Sequence, residues 1–360
     1  MLKEERLAKV YDQLSELGVS QMLVSDPVAI FYLTGKWLHP GERFLGLYLN
    51  AARQPQLFLN DLFRFEEEIG VNKVSITDTT DLTALLKQYV DPAKPLGVDK
   101  ELAAKFLIPM YDAKLSDGIR NTSLAIDNAR ALKDAQEIEW MKESSRINDR
   151  AMAQFRTLIG EGITEKEAAS QFLGIYQSLG ASAYSFSPIV AFGANSADPH
   201  HMPDDTVIKE GDTVLIDVGC VYHDYCSDMT RTFFFKKEPS AEARRVYELV
   251  RNANESAEEM CRPGITLASI DKKARDIITE GGYGPDFTHR LGHFIGIQDH
   301  DFGDVSQANQ NLTRTGNIFS IEPGIYNAAA AGVRIEDLVL ITEDGHEVLN
   351  KYPKELQIIE

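Results

Sequence analysis

Two carboxylates stand where strands usually exclude them. Asp217 lies inside the apolar run Val214-Leu215-Ile216-Asp217-Val218, and Asp228 opens Asp228-Met229-Thr230-Arg231-Thr232-Phe233. Segments of this type favour burial, and a buried carboxylate without a partner is costly. With a hairpin turn at Tyr222-His223, Asp217 falls directly opposite Asp228, a repulsion that a cation between them would relieve. Taken alone, the pair is equally readable as one acid at a hairpin mouth and one capping a turn. The anomaly recurs, however. Glu322 follows apolar residues in Phe319-Ser320-Ile321-Glu322-Pro323-Gly324, and Glu336 does so in Val333-Arg334-Ile335-Glu336. Between the two acid pairs lie His289, His293 and His300, with His200-His201 just upstream of Asp217. Four carboxylates and an imidazole form an oxygen-rich donor set. It suits two divalent ions better than a structural zinc, which prefers closure by Cys and His. Paired cations activate water and polarise a carbonyl. Core filling accounts poorly for all these signals together.

The elements that must carry these residues fall into two regions. Leu2, Leu7, Val10, Tyr11, Leu14 and Leu17 lie near helical spacing, and Gly18 stops that helix. Residues 22–25 read as a strand, 45–50 and 56–60 as a hairpin, and 61–69 as a helix. A strand near Val74, a helix over 81–90, a strand at Gly97-Val98 and a helix over 101–115 follow. This alternation predicts an α/β domain over residues 1–127. A long helical pattern from Arg130 to about Ile159 opens the second region, residues 128–360. Thr164-x-x-Glu167 is a capping box starting a helix to about Leu179. Strands at 189–192, 213–218 and 228–235, helices at 240–261 and 266–279, and a strand-rich remainder ending in 333–342 predict an α+β domain with antiparallel strands. Glu66-Glu67-Glu68 reads as a solvated helix face.

The balance of 37 basic against 55 acidic residues, a net charge of −18, argues against nucleic acid or an anionic membrane as partner. No apolar stretch approaches the ~18–20 residues of a membrane span. Met1-Leu2-Lys3-Glu4-Glu5-Arg6 leads into an amphipathic pattern without an apolar signal segment. Cys220, Cys226 and Cys261 contain no CxxC pair and read as reduced thiols, so a cytoplasmic location is expected.

A set of stretches then resembles the pita-bread metallopeptidases. They are Leu215-Ile216-Asp217-Val218-Gly219, Tyr225-Cys226-Ser227-Asp228-Met229-Thr230-Arg231-Thr232, His289-Arg290-Leu291-Gly292-His293, Ile321-Glu322-Pro323-Gly324-Ile325-Tyr326 and Gly332-Val333-Arg334-Ile335-Glu336-Asp337. The match is closest to the bacterial Xaa-Pro dipeptidase (prolidase) branch, beside aminopeptidase P. The resemblance implies a creatinase-like N-terminal α/β domain followed by a pita-bread catalytic domain, usually as a homodimer. It implies Asp217, Asp228, His293, Glu322 and Glu336 as metal ligands, with Asp228 and Glu336 bridging two divalent ions per subunit. It also implies that His200 contacts substrate, that His300 steadies the scissile carbonyl or developing oxyanion, and that His289 lies outside the ligands. Manganese is the expected metal; cobalt, zinc and iron satisfy the same ligands. Two departures bear on specificity: Phe294 stands where the dipeptidase branch commonly has glycine, and Asn327-Ala328-Ala329-Ala330-Ala331 replaces a glycine-containing linker.

The expected activity is hydrolysis of Xaa-Pro dipeptides, with Glu322 carrying a proton to the departing proline nitrogen. Arg290 is a candidate for reading the proline carboxylate. So are Lys36 and Arg43 in the loop 35–43, which in the family reaches a neighbouring subunit's site. Arg334 either orients Glu336, binds substrate or is a surface arginine. Tyr225 either packs beside the hairpin or hydrogen-bonds the metal site. His201 is expected to be an exposed bystander. The alternatives are aminopeptidase P, acting on longer peptides, and a non-peptidase small-molecule enzyme or binding protein of the same fold.

Overall fold

The computed structural model describes residues 2–360. It divides into two compact units, the first ending at Arg130 and the second running from Ala131 to Glu360. In the first, α1 (Glu4–Glu16) buries Leu7, Val10 and Leu14 on one stripe. The chain continues through β1 (Gln21–Val24), α2 (Pro27–Thr34), β2 (Leu45–Asn50), β3 (Arg53–Asn60), β4 (Asn72–Ile76), α3 (Leu82–Leu86), β5 (Leu96–Val98), α4 (Ala104–Asp112), β6 (Ile119–Asn121) and α5 (Ser123–Arg130). The six strands form one mixed sheet in the order β4-β3-β2-β1-β5-β6.

Several local expectations are corrected here. The helix expected over 61–69 is a single 3₁₀ turn, Asp61–Phe63, capped by Asn60. Three adjacent exposed glutamates offer no apolar stripe, and Ile69 alone of residues 64–70 is buried. The helices expected over 81–90 and 101–115 shrink to α3 and α4, the latter running through Pro109. Helix α2 escapes periodicity because Ala29 to Thr34 are buried all round; only its ends, with Asp26 capping Val28, Pro27 first and Gly35 left-handed, betray it.

In the second unit the helix expected from Arg130 starts later. Asp134 and Glu137 form a capping box that opens α6 (Ala135–Leu158). Next come α7 (Glu165–Ser178), β7 (Ala183–Tyr184), β8 (Ile189–Phe192), β9 (Thr213–Val218), β10 (Cys220–Tyr222), β11 (Tyr225–Cys226), β12 (Met229–Phe235), α8 (Ala241–Met260) and α9 (Leu267–Glu280). The chain ends in β13 (Gly292–His293), β14 (Asp304–Val305), β15 (Ile318–Ile321), β16 (Gly324–Asn327), β17 (Ala331–Arg334), β18 (Asp337–Ile341), β19 (His346–Val348) and β20 (Ile358–Ile359). Phe155 of α6 and Phe172 of α7 share a core with Val214 of β9 and Phe233 of β12. Val250 of α8 and Ile270 of α9 share another with Phe319 of β15 and Val339 of β18. Two helix pairs each covering strands are thus the frame of this unit. Its pairings are antiparallel except β12 with β20. The strand expected over 333–342 is broken at Ile335-Glu336, where Glu336 N–H leaves the β18 ladder for the carbonyl of Thr230. Buried Arg231 ties this region together, donating to Asp337 Oδ1 (2.7 Å) and to the carbonyls of Tyr352 (2.7 Å) and Pro353 (3.1 Å). Lys354 Nζ lies 2.9 Å from the other Asp337 oxygen.

Candidate metal centre and substrate cavity

The hairpin that brings in the first two acids turns one residue later than expected. Tyr222 pairs with Tyr225, leaving His223 and Asp224 as the central residues, with φ of 48° and 67°. A two-residue turn of this twist needs both central residues left-handed, a conformation His and Asp adopt more readily than Tyr. In consequence Asp217 faces Thr230, and Asp228 sits before β12 rather than opposite Asp217. The two acids still converge. Asp217, Asp228, His293 and Glu336 are all buried, and one ligand atom each of Asp228, His293 and Glu336 lie within 4.8 Å of one another. His293 Nε2 is 3.5 Å from Asp228 Oδ2 and 3.6 Å from Glu322 Oε1.

His293 reaches this point because its backbone runs against β15. The His293 N–H donates to Ser320 Oγ (3.0 Å) and the Glu322 N–H to the carbonyl of Leu291 (2.8 Å). Gly292 makes the approach possible, since a Cβ there would collide with the Ser320 carbonyl. Thr230 Oγ1 donates to Glu336 Oε2 (2.7 Å), and Ser320 Oγ to Glu322 Oε1 (3.1 Å).

Three of the four acids nevertheless keep an oxygen for something else. Asp217 Oδ1, Asp228 Oδ1 and Glu336 Oε1 are buried without a hydrogen-bond partner among the described residues. Burial, and then the neighbouring carboxylates, hold Asp228 and Glu336 well above the usual carboxylate range. Burial also lifts Glu322 to about 8 and pushes His293 down to about 3. Neutral imidazole and unpartnered buried oxygens are the donor set that hard divalent cations take. A second acid–histidine cluster, Glu165, His201 and Asp204, differs on this test. Both Glu165 oxygens are already engaged by donors. His201, expected to be exposed, is therefore corrected: its ring is drawn inward, 2.6 Å from Glu165.

Around the acids runs a network with a defined proton order. Arg334, expected beside Glu336 and open to a surface role, is buried and pairs instead with Asp217 Oδ2 (2.5 Å). It also donates to Thr230 Oγ1 (3.0 Å) and to Tyr326 Oη (2.9 Å). Tyr326 in turn is 2.7 Å from His289 Nε2, while His289 Nδ1 is 2.7 Å from the carbonyl of Arg290. A carbonyl only accepts, so Nδ1 carries the proton and Nε2 accepts from Tyr326. Burial brings His289 down to about 4. Arg290 Nη2 is 3.2 Å from His300 Nδ1. Guanidinium only donates, so the His300 proton is on Nε2, 3.4 Å from Asp299 Oδ2. The His300 ring stacks on His293, and burial lowers its pKa.

A cavity of about 630 Å³ opens onto the acids, with His289, Arg290, His300 and Arg334 in its wall and exposed His200 at its edge. Phe186, Ile189, Pro199 and Met202 supply its apolar side. Tyr225 does not line it; its hydroxyl donates to Glu137 Oε1 (2.8 Å). Phe294 is buried against Phe319, away from the cavity lining. Lys36 and Arg43 are held within the first unit, by Glu67 and by Asp78 with Glu42. Sequence reasoning missed Tyr326 and Asp299. Tyr326 had a signal, ending the Glu322 motif at even spacing. Asp299 had none, being one more acid in a loop; burial lifts it to about 7, and its Oδ1 also lacks a partner.

Residues 139–343 match metallopeptidase family M24, and residues 6–132 match the creatinase/prolidase N-terminal domain. The chain belongs to metallopeptidase family M24. Over 360 residues this metallopeptidase is 33% identical to an uncharacterised peptidase of Staphylococcus aureus strain MW2, covering 97% of this chain and 99% of that relative. It is similar in structure to the prolidase of Thermococcus sibiricus, with a TM-score of 0.92 at 32% identity over 99% of each chain. The Xaa-Pro dipeptidase of Bacillus anthracis gives 0.88 at 28% identity, again over 99% of each. The metallopeptidase thus has a creatinase-type N-terminal domain and a pita-bread catalytic domain, and its carboxylate–histidine cluster is one that divalent metal can occupy. Among the described residues no helix is long and apolar enough to cross a membrane.

Proposed function

We propose that this metallopeptidase is a Xaa-Pro dipeptidase with two divalent cations per subunit, held by Asp217, Asp228, His293, Glu322 and Glu336. The observation that carries the reading is the set of buried, unpartnered oxygens on Asp217, Asp228 and Glu336 around neutral His293. Cations bound there supply Lewis-acid polarisation of a carbonyl and acidify water. The chain's own groups do the rest. The X-Pro nitrogen has no N–H and must gain a proton to leave. Glu322, on the cavity wall with Oε1 fixed by Ser320, takes up and delivers that proton. His300 Nε2–H donates to the carbonyl oxygen as charge develops on it, and His200 closes the outer side of the substrate. Arg334 and Tyr326 hold Asp217 and His289 in place. Arg290 pairs with no acid among the described residues, which suits it to the free carboxylate of a C-terminal proline.

Manganese is the metal we assign, with cobalt, zinc and iron satisfying the same donors. The protein acts as a cytoplasmic homodimer on small peptides, without nucleic-acid or membrane partners. The three cysteines are free and buried, in keeping with a reducing compartment. Elemental analysis together with leucine release from Leu-Pro and Leu-Pro-Pro tests the assignment. A carboxylate–guanidinium pair is worth ~1.5–3 kcal/mol, so the dipeptide is expected to be ~10–150-fold better in kcat/KM. Equal cleavage makes the enzyme an aminopeptidase P. Bound metal without cleavage of either peptide moves the activity to small molecules.

A further inference from the structure

Glu165 is fully buried at the first turn of α7, far from any role in the chemistry described above. Its carboxylate is saturated. Oε1 accepts from the Phe192 N–H (2.7 Å) and from Asn195 Nδ2 (3.0 Å). Oε2 lies 2.6 Å from His201 Nε2 and accepts from the Asp204 N–H (3.0 Å). These four partners belong to one segment, residues 192–204, and they bracket His200 on both sides. Between the brackets the segment supplies the cavity with Pro199, His200 and Met202. Asp198 Oδ1 accepts from the His200 N–H (3.0 Å), and the Pro199 carbonyl accepts from Arg334 Nη1 (3.3 Å). The His200 ring itself is exposed and makes no hydrogen bond among the described residues, so its place is set by its backbone.

We propose that Glu165 is a positioning residue that anchors segment 192–204 and thereby sets where His200 meets substrate. The proposal rests on His200 being a substrate contact, as in the functional reading above. A glutamine at this position turns one oxygen into a donor and sets it against the backbone N–H of Phe192 or of Asp204, so the anchor fails on one side. The experiment is a double-mutant cycle of Glu165→Gln and His200→Ala, read with Leu-Pro, beside backbone amide exchange of residues 192–204.

Misplacing a contact by about an ångström costs on the order of 100-fold, so each single variant is expected to lose ~10–100-fold in kcat/KM. The double variant is expected to fall no more than ~3-fold below the worse single one, because a displaced His200 has little left to lose. Metal content should stay at the wild-type level, and the Phe192 and Asp204 amides should exchange at least ~10-fold faster in Glu165→Gln. Losses that multiply, or unchanged exchange, overturn the proposal. Should Glu165→Gln fail to fold, His201→Ala removes a single donor and should show the same non-additivity at ~3–10-fold. A wild-type enzyme that releases no proline sinks the functional reading instead. Amide exchange then decides alone, with retained protection of Phe192 and Asp204 overturning the anchor and lost protection upholding it.

Discussion

Removing metal should leave a protein whose stability falls with pH in a narrow window. Glu322 has a folded pKa of about 8 against an ordinary 4.5, because burial disfavours its charge. The folded chain therefore holds a proton that the unfolded chain has released. That contribution is fully present below about 4.5 and lost as pH rises through about 8. Asp228 and Glu336 are shifted in the same direction. The histidines act oppositely. His289 at about 4 and His293 at about 3 lie below the ordinary 6.5, so their stability is present above 6.5 and lost as pH falls toward those values. The two effects oppose each other on the acid side, and only the carboxylates remain between about pH 6.5 and 8. One proton over that interval gives a slope of ~1.4 kcal/mol per unit, or about 2 kcal/mol. For a unit of this size that lowers Tm by ~4–8 °C. Thermal scans of chelator-stripped protein at about pH 6.5, 7.2 and 8, with and without manganese, measure it. Divalent cation should oppose the slope, since it binds the ionised ligands. Glu322→Gln should shrink the metal-free fall. A metal-free Tm that is flat or rising across the window, or a Gln variant falling as steeply as its parent, refutes the reasoning.

Three further outcomes are expected. Asp217→Asn weakens the Arg334 pair and removes a ligand charge, so activity falls at least ~100-fold and bound metal drops on elemental analysis; full loading with near-normal rates would remove Asp217 from the site. His300→Ala keeps its metal and lowers mainly kcat, by roughly 10²–10³; loss of metal would instead make His300 a ligand. Gly292→Ala drives a methyl into the Ser320 carbonyl, so Tm and metal affinity should fall together as β13 shifts with His293, and unchanged metal titration would argue against that coupling.

The acids of the cluster were legible in sequence because strands that bury every side chain make an acid conspicuous, as at Asp217 in a fully buried β9. The capping box of α7 was legible too, since it uses only neighbours three residues apart. What depended on distant contacts was not. The hairpin register hinged on which residues would accept left-handed backbone, a choice worth little locally that moved Asp228 out of the ladder. Arg334 sits two residues before Glu336, yet its partner is Asp217, 117 positions away in sequence. Helix α2 hid because it is apolar on all sides, and Glu66 to Glu68 misled because charge alone does not make a helix.

Thr230 and Arg231 are neighbours, as are Glu336 and Asp337, and the two pairs meet on opposite sides of one strand. Thr230 holds Glu336 toward the cavity, while Arg231 holds Asp337 away from it. Side chains alternate along a strand, so a slip of one residue would exchange these roles. The guanidinium would then enter the cavity and occupy, with its own positive charge, the place that cations need. Asp337 would bring a carboxylate one methylene too short. A chain assembled in the wrong register would thus set a buried cation among the cluster's carboxylates and lose the Arg231–Asp337 contact. The buried Arg231–Asp337 contact is therefore one that only the observed strand pairing can make.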